Sequence, residues 1–228
     1  MGRSRGAIAV DDLIGLIADG TFRAGDALPP EADLAAMIGV SRLTLREAVR
    51  VLKDRGVLRV VHGRGTYVVP MSEWTDLGTI MDVLGATTEP VELGMQLIEV
   101  RRMIEVGACG LAAKNRTDED LDVMRRELQN FEDACKDGDV ESVLAADIAF
   151  HRAIVAAANN PFLQTFMKAL ESPMLKSRRS TTAVREVRAR AQEHHHAIFT
   201  AIAHGDVEEA KEAMRAHMTQ TKKDLAAL

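Results

Sequence analysis

Residues 28–69 read LPPEADLAAMIGVSRLTLREAVRVLKDRGVLRVVHGRGTYVV, and their order decides what the first third of the chain becomes. Pro29 and Pro30 suit the first turn of a helix, where a missing N–H costs nothing. Leu34, Ala35 and Ile38 then recur at helical spacing. Gly39 stops that helix, since glycine adopts the left-handed conformation cheaply. Ser41 is a good N-cap for the next helix, along which Leu45, Ala48, Val49 and Leu52 form one apolar face. Arg42, Thr44, Arg46 and Arg50 lie mostly off that face. A short helix, a glycine turn and a second helix with outward arginines form a helix-turn-helix, whose second helix is shaped for a major groove.

A hairpin follows. Val57-Leu58-Arg59-Val60-Val61 and Thr66-Tyr67-Val68-Val69 are β-branched runs around the turn His62-Gly63-Arg64-Gly65. An arginine between glycines at a hairpin tip suits close approach to a phosphate or a narrow minor groove. A basic amphipathic helix by itself reads as a solvated surface. The ordered set of helix, turn, helix and basic wing outweighs that reading.

This segment resembles the DNA-binding domain of the GntR family of bacterial transcription regulators. The matching stretches are GDALPPEADLA, GVSRLTLREAVRVL and HGRGTYV, in family order. The resemblance implies operator contacts from Arg42 and Arg46, with Ser41 and Thr44 nearby and His62 and Gly63 at the wing tip. One departure stands out. Many members carry a DNA-touching arginine after the glutamate of the LPxE motif, and this chain has Ala32 there.

The chain has 228 residues and a net charge of −5. That is enough to bury a full core without disulfides. The acidic total argues at first against nucleic acid, but the distribution answers it. Residues 1–70 hold 10 Lys+Arg against 8 Asp+Glu, and the rest of the chain carries −7. The basic excess is local to the DNA reader, as such binding requires. Two cysteines, Cys109 and Cys135, sit in helical patterns and fit a reduced protein. No signal peptide or long apolar run is seen, so the expectation is a cytoplasmic protein without a membrane span.

The expected fold is mainly α, with a winged helix-turn-helix over 1–70, a linker with a short helix over 71–90, and an all-α antiparallel bundle over 91–228. Residues 1–6 read as a frayed polar start, and 7–19 as a support helix. Six bundle helices are predicted at 91–114, 118–137, 140–158, 161–178, 183–204 and 206–226, joined by connections short enough to make neighbours antiparallel.

Polar residues interrupt the apolar stripes of that bundle. Leu144, Asp147, Phe150, His151 and Ile154 share one stripe, with Asp147 and His151 a turn apart. His195 shares a stripe with Ala191, Ile198 and Ile202, and His217 with Ala210 and Met214. A buried, unpaired polar group costs about 1–3 kcal/mol, so four of them must satisfy one another. One divalent ion per chain does this for all four. Imidazoles and a carboxylate suit Zn²⁺ best, with Ni²⁺ or Mn²⁺ as alternatives. His194 and His196 point about 100° away from His195 along the helix and are not assigned. Arg101 is a fifth intruder, in the stripe Leu97, Arg101, Ile104, Ala108. A buried arginine needs an anion: Glu99, Glu105 or a glutamate on another helix, or a bound carboxylate effector.

The stretches LIEVRRMIEVGACGLAA, ADIAFHRAIVAAANNPFL, HHAIFTAI and AMRAHM resemble the effector domain of the FadR subfamily, called FCD. The DxxxH pair followed by two histidines 22 residues apart matches its metal set. That resemblance implies a homodimer on a double-stranded, palindromic operator, and small organic or sugar acids as effectors. The expected function is a ligand-responsive repressor rather than an enzyme. The alternatives are a metal-dependent enzyme acting on a small carboxylic acid, and a regulator whose metal is purely structural.

Overall fold

The computed structural model describes residues 4–228, apart from the side chain at position 176. These residues divide into two compact units that meet between Thr88 and Glu89.

In the first unit, α1 (Arg5–Ala18), α2 (Glu31–Met37) and α3 (Arg42–Asp54) precede a hairpin of β1 (Leu58–Val61) and β2 (Gly65–Val68). The helix α1 begins earlier than the sequence suggested. Ser4 Oγ accepts from the Ala7 N–H at 3.2 Å and caps it, so the chain is ordered into helix from Arg5. Residues 1–3 of the start read as frayed lie outside the described residues. The strands pair antiparallel with Leu58 opposite Val68 and Val61 opposite Gly65, leaving His62-Gly63-Arg64 as the turn. Gly63 has φ +75°, which a side chain would resist. The stretch before α2 adds a short third edge, with Leu28 N–H donating to Thr66 O at 2.8 Å and Val68 N–H to Asp26 O at 3.0 Å. Leu13, Leu45, Leu52 and Leu58 form the centre of the core.

Residues 71–90, read as a linker, contribute to this same unit as far as Thr88. Trp74 is buried and its indole donates to Val69 O at 2.8 Å. The helix α4 (Leu77–Thr87), capped by Asp76, inserts Val83 into the core.

The second unit is a bundle of α5 (Pro90–Asn115), α6 (Asp118–Asp137), α7 (Val140–Ala157), α8 (Pro161–Thr182), α9 (Arg185–His204) and α10 (Val207–Ala226). Local signals fix most of these ends. Thr117 and Asp120 form a capping box for α6. Asp139, Asn160 and Asp206 cap α7, α8 and α10. The helix α8 runs past its predicted end at 178, through to Thr182. Within this polar tail Thr181 donates its hydroxyl back to Arg178 O at 2.9 Å, and the Ala183 N–H closes the last turn on Arg179 O at 3.0 Å. Phe150, Ile154, Ile198, Ile202, Met214 and Met218 pack the centre.

Candidate metal and ligand centre

The core stripe of α7 carries His151 one turn after Asp147, α9 carries His195 and α10 carries His217. All three histidines are buried, at 3%, 0% and 4% exposure. Each offers one ring nitrogen, and the three atoms lie within 4.8 Å of one another. The rings of His151 and His217 stack at 5.2 Å, and those of His195 and His217 meet edge-on at 4.8 Å. Nε2 of His151, both ring nitrogens of His195 and Nδ1 of His217 have no hydrogen-bond partner among the described residues. Four ring nitrogens are thus buried without a partner, and a fifth, His151 Nδ1, has only the carboxylate of Glu105 near it. A metal ion is what this donor set fits, because one cation satisfies a nitrogen from each ring at once.

Asp147, the fourth residue of the predicted set, stands beside this group. Its Oδ1 lies 3.5 Å from His195 Nε2 and 3.8 Å from His151 Nε2. Its Oδ2 accepts from Arg178 Nη1 of α8. The carboxylate is therefore within reach of the imidazoles but is shared with a guanidinium.

Arg101 is buried and its Nε donates to Glu105 Oε1 at 2.6 Å. Its Nη2 has no partner among the described residues. Glu105 in turn places Oε2 2.6 Å from His151 Nδ1, within hydrogen-bonding distance. It stands where an orienting partner for a ligating imidazole belongs. His196, left unassigned from the sequence, is half exposed and meets Glu132 at 2.9 Å.

Electrostatics follow from this burial. Burial pushes His195 down to about 3, against the pull of Asp147, and it pushes His217 well below the usual histidine range. Both rings are therefore neutral, the form that binds a metal. Burial works to raise Asp147, but Arg178, then His151 and His195, bring it down to about 2. Glu105 is likewise held below the ordinary carboxylate range, where Arg101 and His151 outweigh burial. Arg178 is lowered by burial and by the neighbouring Arg101 cation. A cavity of about 40 Å³ opens onto Arg101, Asp147, Arg178, His194 and His217, room for a small ion or a water.

The first unit holds a separate constellation. Ser41 Oγ accepts from the Thr44 N–H at 3.1 Å and fixes the start of α3. Arg42, Arg46, His62 and Gly63 are exposed. Arg46 pairs with Glu31 at 2.8 Å, a solvent-exposed contact that orients the guanidinium and costs little to break.

The FCD domain model matches residues 96–220, over half of the chain, and the model described as bacterial regulatory proteins, gntR family, matches residues 7–68. The chain belongs to the GntR family. This GntR-family chain is 32% identical to the HTH-type transcriptional regulator LutR of Bacillus subtilis (strain 168), covering 91% of this chain and 94% of LutR. It is 30% identical to the galactonate operon transcriptional repressor of Escherichia coli (strain K12), covering 86% of each. Among solved structures, Streptococcus agalactiae GntR superposes with a TM-score of 0.52 at 27% identity, covering 94% of this chain and 97% of that one. The gntR model and these relatives describe transcription regulators, not enzymes, which sets aside the metalloenzyme reading. No helix among the described residues is long and apolar enough to cross a membrane.

Two residues of the GntR-family site escaped the sequence reading. Glu105 entered only as one of several partners for Arg101. Arg178 does not stand out in the sequence, because it falls at the predicted end of α8, where an arginine reads as solvated. The signal was present: Met167, Leu170, Met174 and Arg178 recur at steps of about one helical turn, the same pattern that exposed Arg101.

Proposed function

We propose that this chain is a ligand-responsive repressor of the FadR subfamily. It binds a palindromic operator as a homodimer through Ser41, Arg42, Thr44, Arg46, His62 and Gly63. A divalent ion, Zn²⁺ by the donor set, is held by His151, His195, His217 and Asp147. The effector is a small organic or sugar acid received beside Arg101. The observation that carries this reading is the group of three buried imidazoles with four nitrogens lacking any partner among the described residues, flanked by two buried guanidiniums. When bound, the ion supplies a buried positive charge to which a carboxylate is drawn. The galactonate named for one relative belongs to the same class of acids.

The test is a melting-temperature screen of the purified chain against small carboxylates and sugar acids, before and after chelation, paired with an operator-binding assay. An acid at 100 times its Kd stabilises the native state by about 2.7 kcal/mol. The expected result is an acid whose stabilisation disappears on chelation and which releases the operator. A metal-free chain that binds the same acid equally well would overturn the effector role of the metal. Collapse of the bundle on chelation, with no acid binding to the loaded chain, would make the metal structural.

A further inference from the structure

A second cavity, of about 370 Å³, opens between α7 and α8. Ile148 and Val155 of α7 and Met167 and Met174 of α8 form its walls. At its inner end stand His151 and Arg178, so it reaches the buried centre from another side. Arg178 is 8% exposed, and its Nε has no partner among the described residues. The acidic residue on the lining, Glu171, is held by Arg152 at the rim. The cleft is thus an apolar slot that ends on an incompletely satisfied cation. Its volume falls within the range that holds drug-sized ligands, and its methionines can adjust to irregular apolar shapes.

We infer that this cleft takes the apolar body of a monocarboxylate whose carboxylate is anchored by Arg178. The inference rests on the reading that an organic acid enters the bundle, and it narrows the acid to one with an aliphatic or aryl body. Polyhydroxylated acids fit poorly. Arg152, Gln164 and Lys168 can meet hydroxyls at the exposed mouth, but further in the walls are Ile148, Val155, Met167 and Met174, where burying a hydroxyl unpaired is costly. The guanidinium supplies the complementary feature through its unpaired Nε, while Nη1 stays with Asp147.

Isothermal titration of the full chain loaded with Zn²⁺ tests this, with butanoate, hexanoate and octanoate as probes and octanol as the uncharged control. Affinity is expected to rise roughly fourfold for each added methylene that the cleft buries. Octanol should bind at least tenfold more weakly than octanoate. Ala156 is an exposed residue of α7 on the lining, so Ala156→Phe fills the slot without entering the core. This variant should weaken octanoate far more than butanoate and so remove the gain with chain length. Arg178→Gln should bring octanoate close to octanol. Equal affinity for all three acids, or octanoate binding untouched by Ala156→Phe or by Arg178→Gln, overturns the inference. Short acids binding with no gain from chain length would leave the proposed function standing and remove only the cleft. Binding of no acid at all would remove both. A change of oligomeric state in Ala156→Phe with octanoate binding intact would make the cleft a contact between copies, and the inference fails.

Discussion

At the scale of single residues, the bundle centre is a matter of unpaid hydrogen bonds. His151, His195 and His217 are buried; besides His151 Nδ1, which faces Glu105, four ring nitrogens have no hydrogen-bond partner among the described residues, and each such atom costs about 1–3 kcal/mol. A core of only apolar side chains would avoid that penalty, so the three imidazoles mark a binding site more than a packing solution. Glu105 is the residue that gives the site its orientation. Its carboxylate touches His151 Nδ1 on one side and Arg101 on the other. Outer partners of ligating histidines typically contribute 10–100-fold to metal affinity. Glu105→Gln is therefore expected to weaken divalent metal binding by about that factor, read by competition with a chromophoric chelator. An unchanged metal affinity would show that His151 is positioned by packing alone.

At the scale of elements, two helices have work that their own residues explain. The helix α5 packs against α8 and α10 closely enough that only glycine fits at position 94. A Cβ there would meet Leu225 Cδ2 at 2.7 Å and Ser177 Cβ at 2.8 Å. Gly94→Ala should cost about 1–3 kcal/mol of bundle stability, the range for overpacking, measured by urea unfolding. A neutral result would mean that α8 yields at no cost. The helix α3 is an exposed basic surface on a buried stripe of Leu45, Ala48 and Leu52. Arg42→Ala should weaken binding to every DNA sequence if Arg42 meets phosphate, and reduce the salt-dependence slope by about one. If it meets a base edge, discrimination at one operator position relaxes instead, by about 1–3 kcal/mol. Titrations at several salt concentrations with cognate and altered operators separate the two.

At the scale of the whole molecule, the chain is two units with separate cores. In the proposed function metal and acid act on the second, and the first carries the helix-turn-helix matched to the gntR family. Chelation should therefore lower the melting transition of the bundle while leaving that of the winged unit in place, which calorimetry resolves as two transitions moving independently. A single transition that shifts as one would show that the two cores unfold together. Operator release by an acid then requires different affinities for the acid in the DNA-bound and free states. About 1.4 kcal/mol of such coupling gives a tenfold loss of operator affinity.

The division of labour between sequence and tertiary structure is plain in particular residues. Helix positions in the bundle followed from caps and periodicity, since Thr117, Asp139, Asn160 and Asp206 act on backbone groups only a few residues away. The same short-range logic brought Asp147 and His151 onto one face and put His195, rather than His194 or His196, in the core. The reading of α3 and its wing rested on residues 28–69 alone. Contacts between helices were beyond that logic. Nothing local reveals that Arg178, 31 positions after Asp147, claims one of its oxygens. Nor does it reveal that Glu105 faces His151, or that α7 and α8 leave an apolar slot between them. The sequence by itself determined the elements, the winged reader and the three imidazoles. Only the tertiary structure decided which charges neutralise one another, because a buried charge takes its partner from whichever helix packing brings within about 3 Å, and that choice carries no periodicity to read.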